Sequence, residues 1–421
     1  MPQRQAGREP IYPWVVVGLF WLVYFLNHAD RQIVFSVFPL LKQDLGLTDT
    51  QLGLLGSSFQ WVYAALVPCA GFLGDAVSRR AIILAALLVW STTTISSGMI
   101  SAFVPFLALR ALTGAGEAFY YPAATSIIGD YHGAATRSLA MSVHQTSLYF
   151  GVVTSGTLAG YLGQRFGWRI AFVVFGAAGY LLAALVAKVL KEPARGRVEA
   201  PGTVSVIPLG RRLAELASRP SAVILVLCFC GMSFASVAVV TWMPTLVYRQ
   251  FGYSLASSGF HATFYHQIGA FAGVLLGGRL GDRWAVRTPL ARPWVQALGL
   301  LGAVPFLWML GRSQGPAAVF AALALFGFFR GLYDSNLFAS LFEVLSPASR
   351  ATGTGLMLSA GFLVGGSSPV LIGRLAERTG LGFALATTSV WYFTAGILML
   401  LCIKVWFLAD VRRMREAIST R

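Results

Sequence analysis

A chain of 421 residues that is 56% hydrophobic and 11% charged, with a mean hydropathy of +0.69, is not a soluble globule, because soluble domains carry about 25% charged residues. A net charge of +16 points to nucleic acid only where basic residues form a stripe with interleaved aromatics; here they fall between apolar runs, where their role is orientation in a bilayer. Composition therefore excludes a nucleic-acid-binding domain and leaves an all-α, polytopic membrane protein.

The opening "MPQRQAGREP" is short and basic and leads into a long span without a small-residue cleavage site, so it reads as a retained cytoplasmic start rather than a signal peptide. Apolar runs of crossing length, about 20 residues each, follow near 12–36, 51–73, 81–102, 104–130, 137–163 and 168–190. A second set of six lies near 221–248, 255–280, 292–311, 315–344, 350–373 and 380–408. Between the sets runs a polar, basic, Pro- and Gly-rich stretch with room for one short amphipathic helix. The expected organisation is an N-terminal six-helix bundle over 1–190, a cytoplasmic linker over 191–219 and a C-terminal six-helix bundle over 220–421.

With both termini inside, 22 of the 32 Lys and Arg residues fall in cytoplasmic segments and seven outside, Lys42 and Arg249 among the latter. That asymmetry predicts a multi-pass protein of the plasma (inner) membrane with cytoplasmic termini. The remaining three, Arg31, Arg110 and Arg330, fall within spans. Cys69, Cys228, Cys230 and Cys402 sit inside apolar runs and read as small buried hydrophobes, not a disulfide framework. No metal-ligand spacing, Walker-type loop or nucleophile–base constellation appears, so neither an enzyme nor an ATP-driven pump is expected, and no cofactor or metal.

The two sets of spans repeat one another. "GFLGD" closes the second helix and "GRLGD" the eighth, so Gly71, Leu73, Gly74 and Asp75 recur 207 positions later as Gly278, Leu280, Gly281 and Asp282. Around the fourth helix the offset is 213: Gly114, Asp130, Ala135 and Arg137 recur as Gly327, Glu343, Ala348 and Arg350. Two six-helix halves built this way are the parallel repeats of an alternating-access carrier.

On these residues the chain resembles the major facilitator superfamily over nearly its whole length, with the loop signature "GFLGDAVSRR" after helix 2 and a degenerate copy, "GRLGDRWAVR", after helix 8. Within it, "HADRQ" in helix 1, "SSFQWVYA" in helix 2 and "RALTGAGEAFYYP" in helix 4 resemble the anion:cation symporter branch, which carries sugar acids and other organic anions. The first and third stretches, with "DLGLTDTQLGLL", also resemble the Spinster branch, whose members move lysolipids and sphingoid phosphates. The resemblance implies a proton-coupled carrier of a small organic anion, with a Spinster-like lysolipid or sphingolipid carrier as the alternative.

The charged residues within spans carry the chemistry, because each costs at least about 2.5–3.5 kcal/mol to insert. Asp30 and Arg31 are neighbours in helix 1 and point about 100° apart, so each needs a partner elsewhere or an aqueous cavity. Arg110 and Glu117 are seven residues apart and share one face of helix 4. Burial favours the neutral form of a carboxyl and a nearby arginine the charged one, which suits a group that loads and releases a proton. The resemblance makes Asp30 and Glu117 the proton-coupling residues, Arg31 and Arg110 the anion-binding arginines, and Tyr63 and Gln145 substrate contacts. Tyr120 and His144 complete the candidate substrate-binding set on the N-terminal side. The four histidines in or near spans, His28, His144, His261 and His266, read individually as packing residues. Asp75, Arg79 and Arg80, with Asp282 in the second copy, are implied to form the loop that latches the halves together while the carrier faces outward; "AVSRR" here replaces the usual Arg and Gly after the Asp.

Helix 10 adds Arg330 and Asp334, one turn apart and outside either branch's signature. The 213-residue offset superimposes Glu117 on Arg330. A pseudo-twofold axis then predicts a cross-cavity Glu117–Arg330 pair, with Asp334 holding Arg330 when the site is empty. The partners expected are an anionic small molecule, protons and the lipid bilayer, and the chain is expected to act as a monomer.

Overall fold

The computed structural model describes residues 11–133, 136–193 and 208–419, the side chains of 71–76 and 417–419 excepted. Its first half comprises α1 (Ile11–Ser36), α2 (Phe38–Leu45), α3 (Asp49–Ala76), α4 (Arg79–Ser97), α5 (Phe103–Ala118), α6 (Tyr120–Tyr131), α7 (Arg137–Phe166) and α8 (Trp168–Val189). A connecting helix, α9 (Leu209–Ser218), comes next. The second half comprises α10 (Pro220–Phe251), α11 (Leu255–Ala285), α12 (Ala291–Arg312), α13 (Pro316–Asp334), α14 (Leu337–Val344), α15 (Arg350–Thr379), α16 (Leu381–Ala386), α17 (Thr388–Val405) and α18 (Phe407–Ser419). No strand occurs among the described residues.

Twelve spans result, because α1–α2, α5–α6, α13–α14 and α16–α17 are each one crossing with an internal break. The break in the fourth span has a covalent cause. Pro122 lacks the N–H that would bond Ala118, and its ring crowds that carbonyl, so α5 ends at Ala118 and α6 restarts at Tyr120. Among the described residues nine helical segments are apolar enough to cross by composition alone, and α5–α6, α7 and α11 fall below that level. Five of their polar residues, Arg110, Glu117, His144, Thr263 and His266, are buried and so face protein rather than lipid.

The 213-residue repeat is written into the geometry. Arg79 pairs with Asp130 on the face that carries α9, and Arg292 pairs with Glu343 at the equivalent place. Arg137 donates to the Gly129 carbonyl at 3.1 Å, and Arg350 to the Phe342 carbonyl at 3.0 Å. Gly167 and Gly380 turn into the sixth and twelfth spans with φ of 88° and 82°, in a region that only glycine occupies readily.

The halves meet on the face away from α9. There α3 packs along α15 and α7 along α11, so closely that a Cβ on Gly160 would lie 2.5 Å from the Leu255 carbonyl carbon. The apolar core runs unbroken through both halves at this level, with the Phe38 and Trp242 rings 5.3 Å apart. An ionic lock closes the same face: Arg249 grips Asp49 with two hydrogen bonds of 2.9 Å, and Lys42 adds a third at 2.9 Å. On the α9 face the halves diverge around a cleft of about 660 Å³, lined by Pro122 and Ser126 on one side and Thr352 and Ser359 on the other. A separate aromatic cluster, with Phe20, Tyr24, Trp90 and Tyr120, holds the first half together near that face.

Candidate functional site

Between the closed face and the open cleft lies a cavity of about 150 Å³. Helix α1 contributes His28, Arg31 and Gln32, and α3 contributes Phe59 and Gln60. From the second half, α10 contributes Ser236 and Thr241, and α13 contributes Arg330.

Arg31 is anchored from behind. Its Nε donates to Glu117 Oε2 at 2.7 Å and its Nη2 to Asn27 Oδ1 at 3.2 Å. Its guanidinium lies over Tyr63 and Phe59, 4.4 and 5.0 Å from the ring centroids. The arginine side chain keeps 20% exposure toward the cavity, whereas the Glu117 side chain is fully buried. Gly114 lets α5 approach α3 closely, since a Cβ there would meet the Phe59 carbonyl, and Gly116 does the same against α4.

In this conformation the expected cross-cavity Glu117–Arg330 pair is not formed, whereas the expected hold of Asp334 on Arg330 is. Glu117 bonds Arg31 within its own half and does not reach Arg330. Arg330 instead pairs with Asp334 one turn along α13, Nε to Oδ2 at 3.2 Å, and donates from Nη1 to His266 Nε2 at 3.4 Å. A neighbouring helix satisfies the first carboxylate, and an i, i+4 neighbour is the nearer partner for the second arginine.

Asp30 and Arg110 occupy the interior behind the cavity. Both carboxyl oxygens of Asp30 are buried without a hydrogen bond; Glu117, the Arg110 guanidinium and the Thr94 hydroxyl are its polar neighbours. Arg110 is 2% exposed, stacks over Phe59 at 4.9 Å and has no ion pair among the described residues. It therefore does not line the cavity, contrary to the expectation of a second substrate-facing arginine.

Three further expectations are corrected by packing. The Tyr120 hydroxyl is fully buried and donates to the Phe20 carbonyl at 2.9 Å, and His144 stacks on Tyr24 with ring centroids 4.6 Å apart. Both belong to the interior of the first half, so they brace α1 and not a ligand. Gln145, the next residue on α7, is exposed and lines no part of the cavity. Tyr63 touches Arg31 and reaches the site only through it.

The loop residues form ties within each half. Arg79, 3% exposed, bonds Asp130, Ser126 and Glu192, and Arg80 donates to the Ala187 carbonyl. Glu192 accepts from the Ser78 hydroxyl and from the Arg79 backbone N–H at 2.9 Å. Burial works to raise its pKa, but the donors from Ser78, Arg79 and Arg80 outweigh it and hold the carboxyl below its usual range. Asp282 pairs with Arg292 at 3.0 Å. The side chain of Asp75 lies outside the described residues. None of these described ion pairs crosses between halves, as fits a molecule parted on this face.

Sequence reasoning passed over His266, Gln32, Gln60 and Thr241. The 207-residue offset was a usable signal for His266, since it superimposes that residue on Phe59, and Gly327 packs on the His266 carbonyl as Gly114 packs on that of Phe59.

Two six-helix halves around a central charged cavity, closed on one face and parted on the other, are the architecture of a membrane transporter. The chain belongs to the major facilitator superfamily, whose family profile matches residues 20–369. It is 28% identical over 396 residues to a probable sulfoacetate transporter of Cupriavidus necator, covering 90% of each chain. It is 29% identical over 408 residues to protein spinster homolog 1 of Homo sapiens, covering 89% of this chain and 75% of the human one. The fold matches a bacterial homologue of the human lysosomal transporter Spinster, crystallised inward-facing and unoccupied, with a TM-score of 0.85, 24% identity and coverage of 96% and 99%.

Proposed function

We propose that this transporter moves a compact organic anion across the plasma membrane by alternating access, coupled to protons, with Arg31 as the anion-binding group and Glu117 as its proton-sensitive counterion. The observation that carries the reading is the Arg31–Glu117 pair itself: the arginine faces the cavity while its carboxylate stays dry behind it. An incoming anion and Glu117 compete for one guanidinium, so a proton taken up by Glu117 releases Arg31 to the substrate. Asp30, buried with neither carboxyl oxygen hydrogen-bonded, is the second carboxyl suited to change charge, because an ionised carboxylate left unpaired is costly to bury. Arg110 serves the proton-coupling network from behind.

The C. necator relative's name supports an organic-anion substrate. On this reading the termini and α9 face the cytoplasm, the Asp49–Arg249 lock is periplasmic or extracellular, and the molecule is poised inward as a monomer. The cavity of about 150 Å³ suits a few-carbon acid; drug-sized ligands occupy about 300–1,000 Å³.

The test is uptake of labelled organic acids into proteoliposomes under an inward proton gradient. The gradient should drive accumulation that a protonophore abolishes. Glu117→Gln should retain exchange of substrate for substrate and lose accumulation. Accumulation by Glu117→Gln, or indifference to the gradient, overturns the coupling.

One observation favours a second reading. An apolar cleft of about 320 Å³, lined by Phe150, Phe264 and Phe271, lies between α7 and α11 and offers space to an acyl chain, as a lysolipid carrier resembling the Spinster branch would need. Competition of uptake by lysophospholipids, absent on the first reading, separates the two.

A further inference from the structure

The central cavity is walled by two arginines, one from each half, and by neither of their carboxylates. Arg31 and Arg330 both line it; Glu117, fully buried, and Asp334, which is partly exposed, do not. The remaining wall supplies neutral groups, among them Gln32, Gln60, Ser236 and Thr241. A substrate with one anionic group satisfies one cation and leaves the other facing an uncharged end.

The two arginines are also held alike. Each has one carboxylate on its Nε side and one neutral acceptor for a terminal nitrogen: Asn27 for Arg31, and His266 for Arg330. Of the five N–H donors a guanidinium carries, at least two then stay available on each arginine, enough for a bidentate grip on a carboxylate or sulfonate. The Arg330–Asp334 contact is the looser of the two, at 3.2 Å and without an aligned hydrogen bond from Nε.

We infer that Arg330, seated by Asp334 and His266, is a second anion subsite, and that the substrate is a compact dianion bridging Arg31 and Arg330. This rests on the organic-anion reading and narrows it to molecules with an acidic group at each end. Gripping both ends ties α1 to α13, so the substrate bridges the two halves directly. A monoanion held by Arg31 alone makes no charged bridge.

The experiment measures binding to the purified full-length protein with matched pairs that differ in the second charge: glucarate against gluconate, succinate against its monomethyl ester, and sulfoacetate against its carboxylate methyl ester, which keeps only the sulfonate charge. A charge-assisted bidentate contact is worth about 1.5–3 kcal/mol, so the dianion of at least one pair should bind about 10- to 100-fold tighter than its partner. In Arg330→Gln that ratio should collapse toward one through loss of dianion affinity, while Arg330→Lys retains part of it. Asp334→Asn, which frees the guanidinium, should raise the ratio, and it keeps the proposal testable if Arg330→Gln fails to fold. Equal affinities within every pair overturn the dianion inference and leave the organic-anion reading standing, provided Arg31→Gln weakens both members. Binding of neither member in any pair overturns both.

Discussion

The two halves share one fold and treat their buried charges differently. In the first half the Arg31–Glu117 pair joins two helices, with side-chain exposures of 20% and 0%. In the second, Arg330–Asp334 lies along one helix, with 26% and 29%. The contrast recurs at the repeat-related pairs near α9, where Arg79 is 3% exposed and Arg292 is 25%. A pair that spans helices changes when the helices shift, and a pair along one helix travels with it intact. The first half therefore carries a charge arrangement that helix movement can make or break, and the second presents a cation that arrives ready-formed.

The largest expected difference is between Arg31→Ala and Arg330→Ala. Removing Arg31 strands Glu117 in a dry interior, which costs about 3–5 kcal/mol. Removing Arg330 leaves Asp334 in reach of water and should cost roughly 1 kcal/mol. Thermal unfolding of the purified variants reads the difference, and equal losses would erase the distinction between halves.

Arg79→Ala and Arg292→Ala sharpen the comparison away from the cavity. Arg79 also holds Ser126 and the Pro193 carbonyl in addition to two carboxylates, and its loss should cost about 2–3 kcal/mol in the same assay. Arg292→Ala should cost about 1 kcal/mol. A larger effect at Arg292 would reverse the assignment of the first half as the more tightly braced.

The smallest effect concerns how α9 is moored to the second half. Glu215 accepts from the Ser346 N–H at 2.8 Å and from the hydroxyls of Ser346 and Ser349 at 2.8 and 2.6 Å. Burial works to raise its pKa, but those donors outweigh it and hold the carboxyl below the ordinary value of 4.5. A lowered folded pKa contributes stability at neutral pH that is lost as pH falls below 4.5 and through the folded value. Glu215→Gln should therefore flatten the acid limb of the stability profile between pH 5 and 3 by a few tenths of a kcal/mol, within the range of exposed contacts. An unchanged acid limb in Glu215→Gln would show that α9 contributes nothing through this contact.

Much of this architecture is legible in residue order. Among the described residues nine of the twelve spans are apolar enough to be read directly, the repeat supplies the other three, and the 207- and 213-residue offsets anticipate paired structure down to Arg79–Asp130 and Arg292–Glu343. Pairing inside the site is less legible, because an offset places residues at equivalent depths and does not say which way a side chain turns. Glu117 and Arg330 are equivalent by the repeat, yet each finds a nearer partner, and proximity decides. Tyr120 fails as a site residue for a related reason: a broken helix rotates the turn beyond the break, and past the break at Phe119 Tyr120 is buried in the bundle. His144, on the unbroken α7, fails because its ring is buried against Tyr24. The lock of Asp49 with Arg249 joins residues 200 positions apart and carries no local pattern at all.

The glycine contacts on the closed face have a mechanical consequence. Where α7 meets α11, Gly156 lies backbone to backbone with Gly259, and Gly160 with Leu255. No side chain cushions the joint, so any added methyl group is a doorstop: it stands where the opposite helix must rest, and backbone cannot swing aside as a side chain can. A single alanine at Gly160 or Gly259 leaves the interior of each half untouched and props this one seam ajar. The seam thus supplies a handle for holding the carrier in its other posture, set by a hydrogen-for-methyl exchange rather than by ligand or charge.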